Sequence, residues 1–222
     1  RFIANSKNVQ QRIQKYYHRD SQVIYPPVSI PQNFETINHK RLIPRFGIEG
    51  LSPINYFLIV SRLYEHKNIH LAVKAFNKLQ WPLVIIGDGP ERQHLESMAD
   101  KRYIAFRGYQ SDEMINNAYA TCQAFIMPQE EDFGLTPLES MSHGKPVLAL
   151  RRGGALEYIK EGYTGEFFDS PTEEVLADGV RRIKENLGSY DPGFIRSVAD
   201  QFSATRFEGE VQNYLTTFIL RS

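Results

Sequence analysis

Short apolar runs recur along the chain, most of them bounded by proline or glycine, with amphipathic stretches between them. Tyr56–Val60, Trp81–Ile86, Tyr103–Arg107, Ala124–Met127, Pro146–Leu150 and Gly165–Phe168 read as buried strands. Helical periodicity fills most of the gaps: to about Leu79, from Pro90 to about Asp100, over Ser111–Thr121, from Thr136 to about His143, and from Ser170 to about Leu187. Two more helices, roughly Pro192–Phe202 and Thr205–Leu220, finish the chain. Strands alternating with helices of this length predict an α/β fold built on a doubly wound parallel sheet. Ahead of it, Phe2–Asn5, a helix capped by Ser6 and running to Tyr17, and Val23–Tyr25 form a separate β–α–β unit. From Pro26 to Pro53 the pattern dissolves, and five of the twelve prolines fall there, as in a linker.

The stretch from Gln123 to Glu157 concentrates the chemistry. A strand ends at Pro128, and an acidic loop, Glu130-Glu131-Asp132, follows. Thr136-Pro137-Leu138-Glu139 reads as a helix start, with Thr136 as N-cap, Pro137 at N1 and Glu139 at N3. Ser170-Pro171 reads as a second start of the same kind. Gly153-Gly154 breaks the chain before another helix. This layout sets carboxylates and a helix N-terminus at the carboxyl ends of parallel strands, where open α/β sheets bind ligands.

Composition narrows the functional classes. Lys plus Arg and Asp plus Glu are both 26, so no net field recruits nucleic acid or an anionic membrane. The single cysteine, Cys122, excludes an internal disulfide and reads as core. No apolar run reaches membrane-spanning length. The abrupt start at Arg1 reads as a piece of a longer polypeptide.

Several motifs have a plain reading beside a chemical one. Gly87-Asp88-Gly89-Pro90-Glu91-Arg92 follows a strand and opens a helix, but Arg92 stands where a dinucleotide fingerprint has its third glycine, so a tight turn is the better local reading. His66 and His70 are four apart, yet Lys67 occupies the place of the zincin glutamate, so no metal site is proposed. Arg62 and Lys67 could be solvated charges. A cation at a helix start, however, opposes the dipole and asks for an anion nearby. Glu139 could spend its carboxylate on a capping box. Glu131 has no capping duty.

Glu131 and Glu139, with seven residues between them that include Phe133-Gly134-Leu135, together with Gly153-Gly154-x-x-Glu157, Ser61-Arg62-Leu63-x-x-x-Lys67-Asn68 and Gly87-Asp88-Gly89-Pro90, resemble the signature of retaining family 4 (group 1) glycosyltransferases of GT-B fold. The resemblance covers nearly the whole chain. It implies a Rossmann-like donor-binding domain over 54–203, preceded by the last βα unit of an N-terminal domain (1–28) and an interdomain linker (29–53). A C-terminal helix (204–222) would pack toward that first domain. It also implies that Arg62 and Lys67 grip a donor diphosphate, that Glu131 meets a hydroxyl of the transferred sugar and that Glu139 meets the ribose. Amides of Gly134, Leu135 and Thr136 would face phosphate, Gly87 would line the donor cleft, and Gly108 and Tyr109 would border the base. No cofactor or divalent metal is expected. Similarity of Glu131–Glu139 and Gly165–Phe168 to mannosyltransferases of polysaccharide assembly points to GDP-mannose as donor. The acceptor, a glycan or lipid-linked glycan, would bind the missing N-terminal domain. The chain alone would therefore bind donor without transferring sugar, and its uncovered last helix would favour self-association. A cytoplasmic location is expected, either free or peripheral to the membrane. The alternatives are an epimerase or phosphorylase of the same fold, or a non-catalytic nucleotide-binding module.

Overall fold

The structure is a computed structural model and describes residues 2–29 and 55–219. Nearly all of the expected linker, 29–53, thus lies outside the described residues. Two parallel sheets are present among them. In the smaller, β1 (Phe2–Ala4) pairs with β2 (Ser21–Val23) across α1 (Lys7–Tyr17), whose N-cap Ser6 accepts from the Val9 N–H at 3.0 Å. β2 therefore sits two residues earlier than the apolar run suggested. Ile24 still donates to the Ala4 carbonyl at 2.9 Å. Tyr25 leaves the ladder and stacks on Phe133, with ring centroids 5.4 Å apart.

The larger sheet holds β3 (Phe57–Val60), β4 (Leu83–Ile86), β5 (Ile104–Phe106), β6 (Ala124–Met127), β7 (Val147–Leu150) and β8 (Gly165–Phe168). Its order is β5-β4-β3-β6-β7-β8, all parallel. Counted within the domain this is 3-2-1-4-5-6, the doubly wound dinucleotide-binding order. Helices cover both faces, which explains why the central strands are apolar throughout rather than alternating. Every residue of β4, β6, β7 and β8 is buried. The crossovers are α2 (Ile69–Leu79), α3 (Arg92–Met98), α4 (Asp112–Thr121) and α5 (Leu135–Ser142), followed by α6 (Glu173–Glu185), α7 (Pro192–Asp200) and α8 (Ala204–Ile219). Cys122 is buried in this core, which pushes its thiol up to about 12.

Three helix readings need correction. α5 begins at Leu135 with Gly134 as N-cap, so Thr136 is at N2 and Pro137 at N3. Proline is tolerated there because the first four helical N–H groups have no intrahelical partner in any case. α6 starts later than Ser170, capped by Thr172, whose hydroxyl accepts from Val175 N–H at 3.4 Å. After Gly153-Gly154 the chain makes only a 3₁₀ turn, Gly153–Glu157. The glycine pair has a different purpose: a Cβ on Gly154 would lie 2.4 Å from Phe133 Cα, so the acidic loop rests directly on it.

The two units are fastened by that same turn. Glu157 accepts from the Lys7 and Asn8 N–H groups at 2.9 and 3.1 Å, at the positive end of α1, and from the Tyr25 hydroxyl at 2.8 Å. Burial, then Glu157, pushes the Tyr25 phenol up to about 12. Arg12 of α1 pairs with Asp132, and Arg206 of α8 donates to the Tyr25 carbonyl at 2.7 Å. Glu157→Ala should therefore lower stability by about 1–3 kcal/mol, the range for charged hydrogen bonds lost together. Thermal unfolding checks this; an unchanged melting temperature would mean that the contact holds nothing.

Candidate donor-binding site

The crossovers from β3 and from β6 leave the sheet in opposite directions. The carboxyl ends of these neighbouring strands therefore flank the topological switch point, where doubly wound folds bind ligands. A cavity of about 510 Å³ opens there. Ser61, Arg62 and Lys67 line one side of it, and Gln129, Glu131, Phe133, Gly134, Leu135 and Thr136 the other. Gly134, at φ 90°, turns the acidic loop into α5, so that the start of α5 and its free N–H groups border the cavity.

Lys67 is largely buried and reaches across to Glu131, with Nζ to Oε1 at 2.5 Å; Gln129 Nε2 donates to the same oxygen at 2.9 Å. The side chains of Lys67 and Glu131 are 10% and 26% exposed, so their attraction is screened less than that of a surface pair. Arg62 is exposed, has no carboxylate partner among the described residues, and lies over the Tyr64 ring at 5.6 Å. Two cations and a helix start thus meet Glu131 in a single cavity, while Asp132, also in its lining, is paired with Arg12; the arrangement is suited to holding a polyanion beside a hydroxylated group.

A second, nearly apolar cavity of about 320 Å³ shares Ser61, Arg62 and Thr136 with the first. It continues over Ile86, Gly87, Asp88, Tyr109, Gln110 and Ile115. Gly87 permits close packing, since a Cβ there would lie 1.9 Å from the Ser61 carbonyl oxygen. Tyr109 is 84% exposed at the rim. Gly108 is not part of the lining; it is buried, and its carbonyl accepts from the Gly87 N–H at 2.8 Å.

Glu139 lines neither cavity. With α5 starting at Leu135 it is no longer at N3, and the capping-box reading falls. Its Oε2 accepts from the Tyr119 hydroxyl at 2.8 Å. Burial raises the Glu139 carboxyl above the usual range, against a smaller lowering by Tyr119. Asn5 and Pro26, from the first unit, also line the larger cavity. They, like Gln129, carried no local signal. Among the described residues no three His, Cys, Asp or Glu side chains are grouped to hold a metal ion, and no helix is long and apolar enough to cross a membrane.

Residues 49–191 match the family described as Glycosyl transferases group 1. The sulfoquinovosyl transferase SQD2 of Arabidopsis thaliana is 36% identical over 129 residues, covering 56% of this chain and 25% of that protein. The human alpha-1,3/1,6-mannosyltransferase ALG2 is 26% identical over 235 residues, covering 91% of this chain and 54% of the relative. The chain thus spans about a quarter to a half of the relatives it matches. Among solved structures, Anabaena HepE in complex with UDP-glucose superposes with a TM-score of 0.82 at 21% identity, over 97% of this chain and 63% of that one. The fold is therefore that of GT-B glycosyltransferases, and the chain belongs to the group 1 glycosyl transferases.

Proposed function

We propose that the chain is the donor-binding half of a retaining, family 4 hexosyltransferase that takes its sugar from a nucleoside diphosphate hexose. The observation that carries this reading is the convergence of Arg62, Lys67, Glu131 and the α5 N-terminus on one cavity at the switch point. The diphosphate lies on the two cations and the α5 amides, the hexose toward Glu131, and the nucleoside runs into the apolar cavity beside Tyr109 and Gln110. The family resemblance gives Glu139 the ribose, a contact for which its carboxylate, now on Tyr119 and outside both cavities, would have to turn toward the nucleoside. When the bond to the sugar breaks, charge grows on the departing diphosphate. Cations and a helix end that strengthen their hold on that charge lower the barrier. They supply what a divalent metal supplies elsewhere, so donor binding should be unaffected by a chelator.

Mannose from GDP-mannose is the first choice of donor, supported by the family's mannosyltransferases, ALG2 among them. A glycan or lipid-linked acceptor would bind the domain that precedes this one in the full-length relatives, at the cytoplasmic side of polysaccharide assembly. Residues 1–222 alone should then bind donor without transferring sugar. Calorimetric titration with GDP, UDP and ADP, and with their mannose and glucose conjugates, tests the reading. Tightest binding of the GDP pair is expected. A UDP preference would overturn the choice of donor, and no binding of any diphosphate would overturn the site.

A further inference from the structure

We propose that Gln129 reads a hydroxyl of the transferred hexose and so helps decide which sugar the cavity accepts; the inference rests on the donor-binding reading above. Gln129 follows Pro128 at the carboxyl end of β6 and lines the larger cavity with Arg62, Lys67 and Glu131. It is only 4% exposed. One end of its amide is engaged, Nε2 donating to Glu131 Oε1 at 2.9 Å. The other is not: Oε1 is shielded from solvent and accepts no hydrogen bond among the described residues.

A buried carbonyl without a partner is destabilising, and folded proteins keep few of them. The amide cannot remove the penalty by turning over, because its oxygen would then face the Glu131 carboxylate, acceptor against acceptor. In the wall of a polar cavity, such a group has its partner in the ligand. The ligand must bring a donor. An ionised diphosphate has no proton to give, whereas every hexose hydroxyl donates as well as accepts. Gln129 and Glu131 thus form a two-acceptor edge suited to neighbouring hydroxyls of one sugar. Lys67 and Gln129 share Glu131 Oε1, so a Lys67 drawn toward phosphate loosens the same cluster and opens the amide oxygen to the sugar. A site built around a hydroxyl discriminates strongly against a sugar that lacks it, because its buried acceptor then stays unpaired.

Gln129→Met keeps much of the volume and removes both amide ends. It is to be titrated beside the wild type with GDP, UDP, GDP-mannose, UDP-glucose, and the monodeoxy analogues of whichever sugar nucleotide the wild type binds more tightly. Affinity for the bare diphosphate should stay within about twofold, while the sugar nucleotide loses about tenfold, one hydrogen bond's worth. One monodeoxy analogue should weaken the wild type about tenfold and the variant hardly at all, the non-additivity of a direct pair. The free variant should melt close to the wild type, since the lost Nε2 bond to Glu131 is offset by removal of the unsatisfied acceptor; Gln129→Leu serves the same purpose if methionine packs poorly. Additive losses at every hydroxyl would overturn the proposal and leave Gln129 as a prop for Glu131. Diphosphate binding with no sugar effect of Gln129→Met would also overturn it while sparing the donor-binding reading. Absence of any diphosphate binding by the wild type would overturn both.

Discussion

Alanine in place of Lys67 or of Arg62 should weaken binding of a nucleoside diphosphate about ten- to a hundredfold, the equivalent of about 1.5–3 kcal/mol for a hydrogen bond to a charged group. The two losses should differ in size. Lys67 is buried and shared with Glu131. Its removal takes a cation from the phosphate and also leaves the Glu131 carboxylate facing the diphosphate unneutralised, so its loss should lie at the upper end. Arg62 is exposed and, among the described residues, its guanidinium lies over the Tyr64 ring with no carboxylate partner. Its contribution is screened by water and salt, and should lie nearer tenfold and shrink with ionic strength. Adding Glu131→Gln to Lys67→Ala should restore part of the diphosphate affinity by removing the repelling charge. Alone, Glu131→Gln should weaken the sugar nucleotide more than the bare nucleotide. Arg62→Lys should recover only part of the loss, because an ammonium lacks the planar fork that grips two phosphate oxygens. The nucleoside without phosphate should bind all these variants alike. Titration calorimetry reads each outcome, and equal diphosphate affinities in wild type and variants would return both cations to the solvated surface.

Glu139→Gln should cost about ten- to a hundredfold in nucleotide affinity and yet leave the free protein more stable at neutral pH. The first half follows from the proposed ribose contact: an amide is a weaker acceptor than a carboxylate for a hydroxyl pair. The second follows from the burial of Glu139. Its carboxyl is raised above the ordinary value, so the contribution to stability is fully present below the unfolded-state value. It is lost as the pH rises through the folded-state value, because the charge must then be carried in a desolvated place. Glutamine carries no charge and still accepts from the Tyr119 hydroxyl. Its advantage in melting temperature should therefore appear at neutral pH and fade when the carboxyl of the wild type is protonated in acid. A stability gain with intact nucleotide binding would make Glu139 a buried structural acid and no ligand residue.

The strands were legible because each lies in a sheet covered on both faces and must be apolar along its length; Tyr56–Val60, Ala124–Met127 and Pro146–Leu150 sit within a residue of the observed β3, β6 and β7. The helix capped by Ser6 was equally plain, since a capping hydroxyl and its N–H partner are three residues apart. Local chemistry misled where two local solutions compete. Thr136-Pro137 looks like a helix entrance, but Gly134 adopts the turn first, and the carboxylate of Glu139, removed from N3, goes to Tyr119 on a different helix.

The chain by itself therefore determined which runs become strands, that they alternate with helices in a parallel sheet, and which charged residues gather at strand ends. Those properties depend on neighbours a few residues away. Only the tertiary structure decided that Lys67 meets Glu131, 64 residues on, and that Glu157 holds the start of α1, 150 residues back. It alone brought Asn5 and Gln129 into one cavity. The physical reason is the strand order: a crossover that reverses between β3 and β6 makes distant strand ends adjacent, and no periodicity within either segment records which strand will lie beside it.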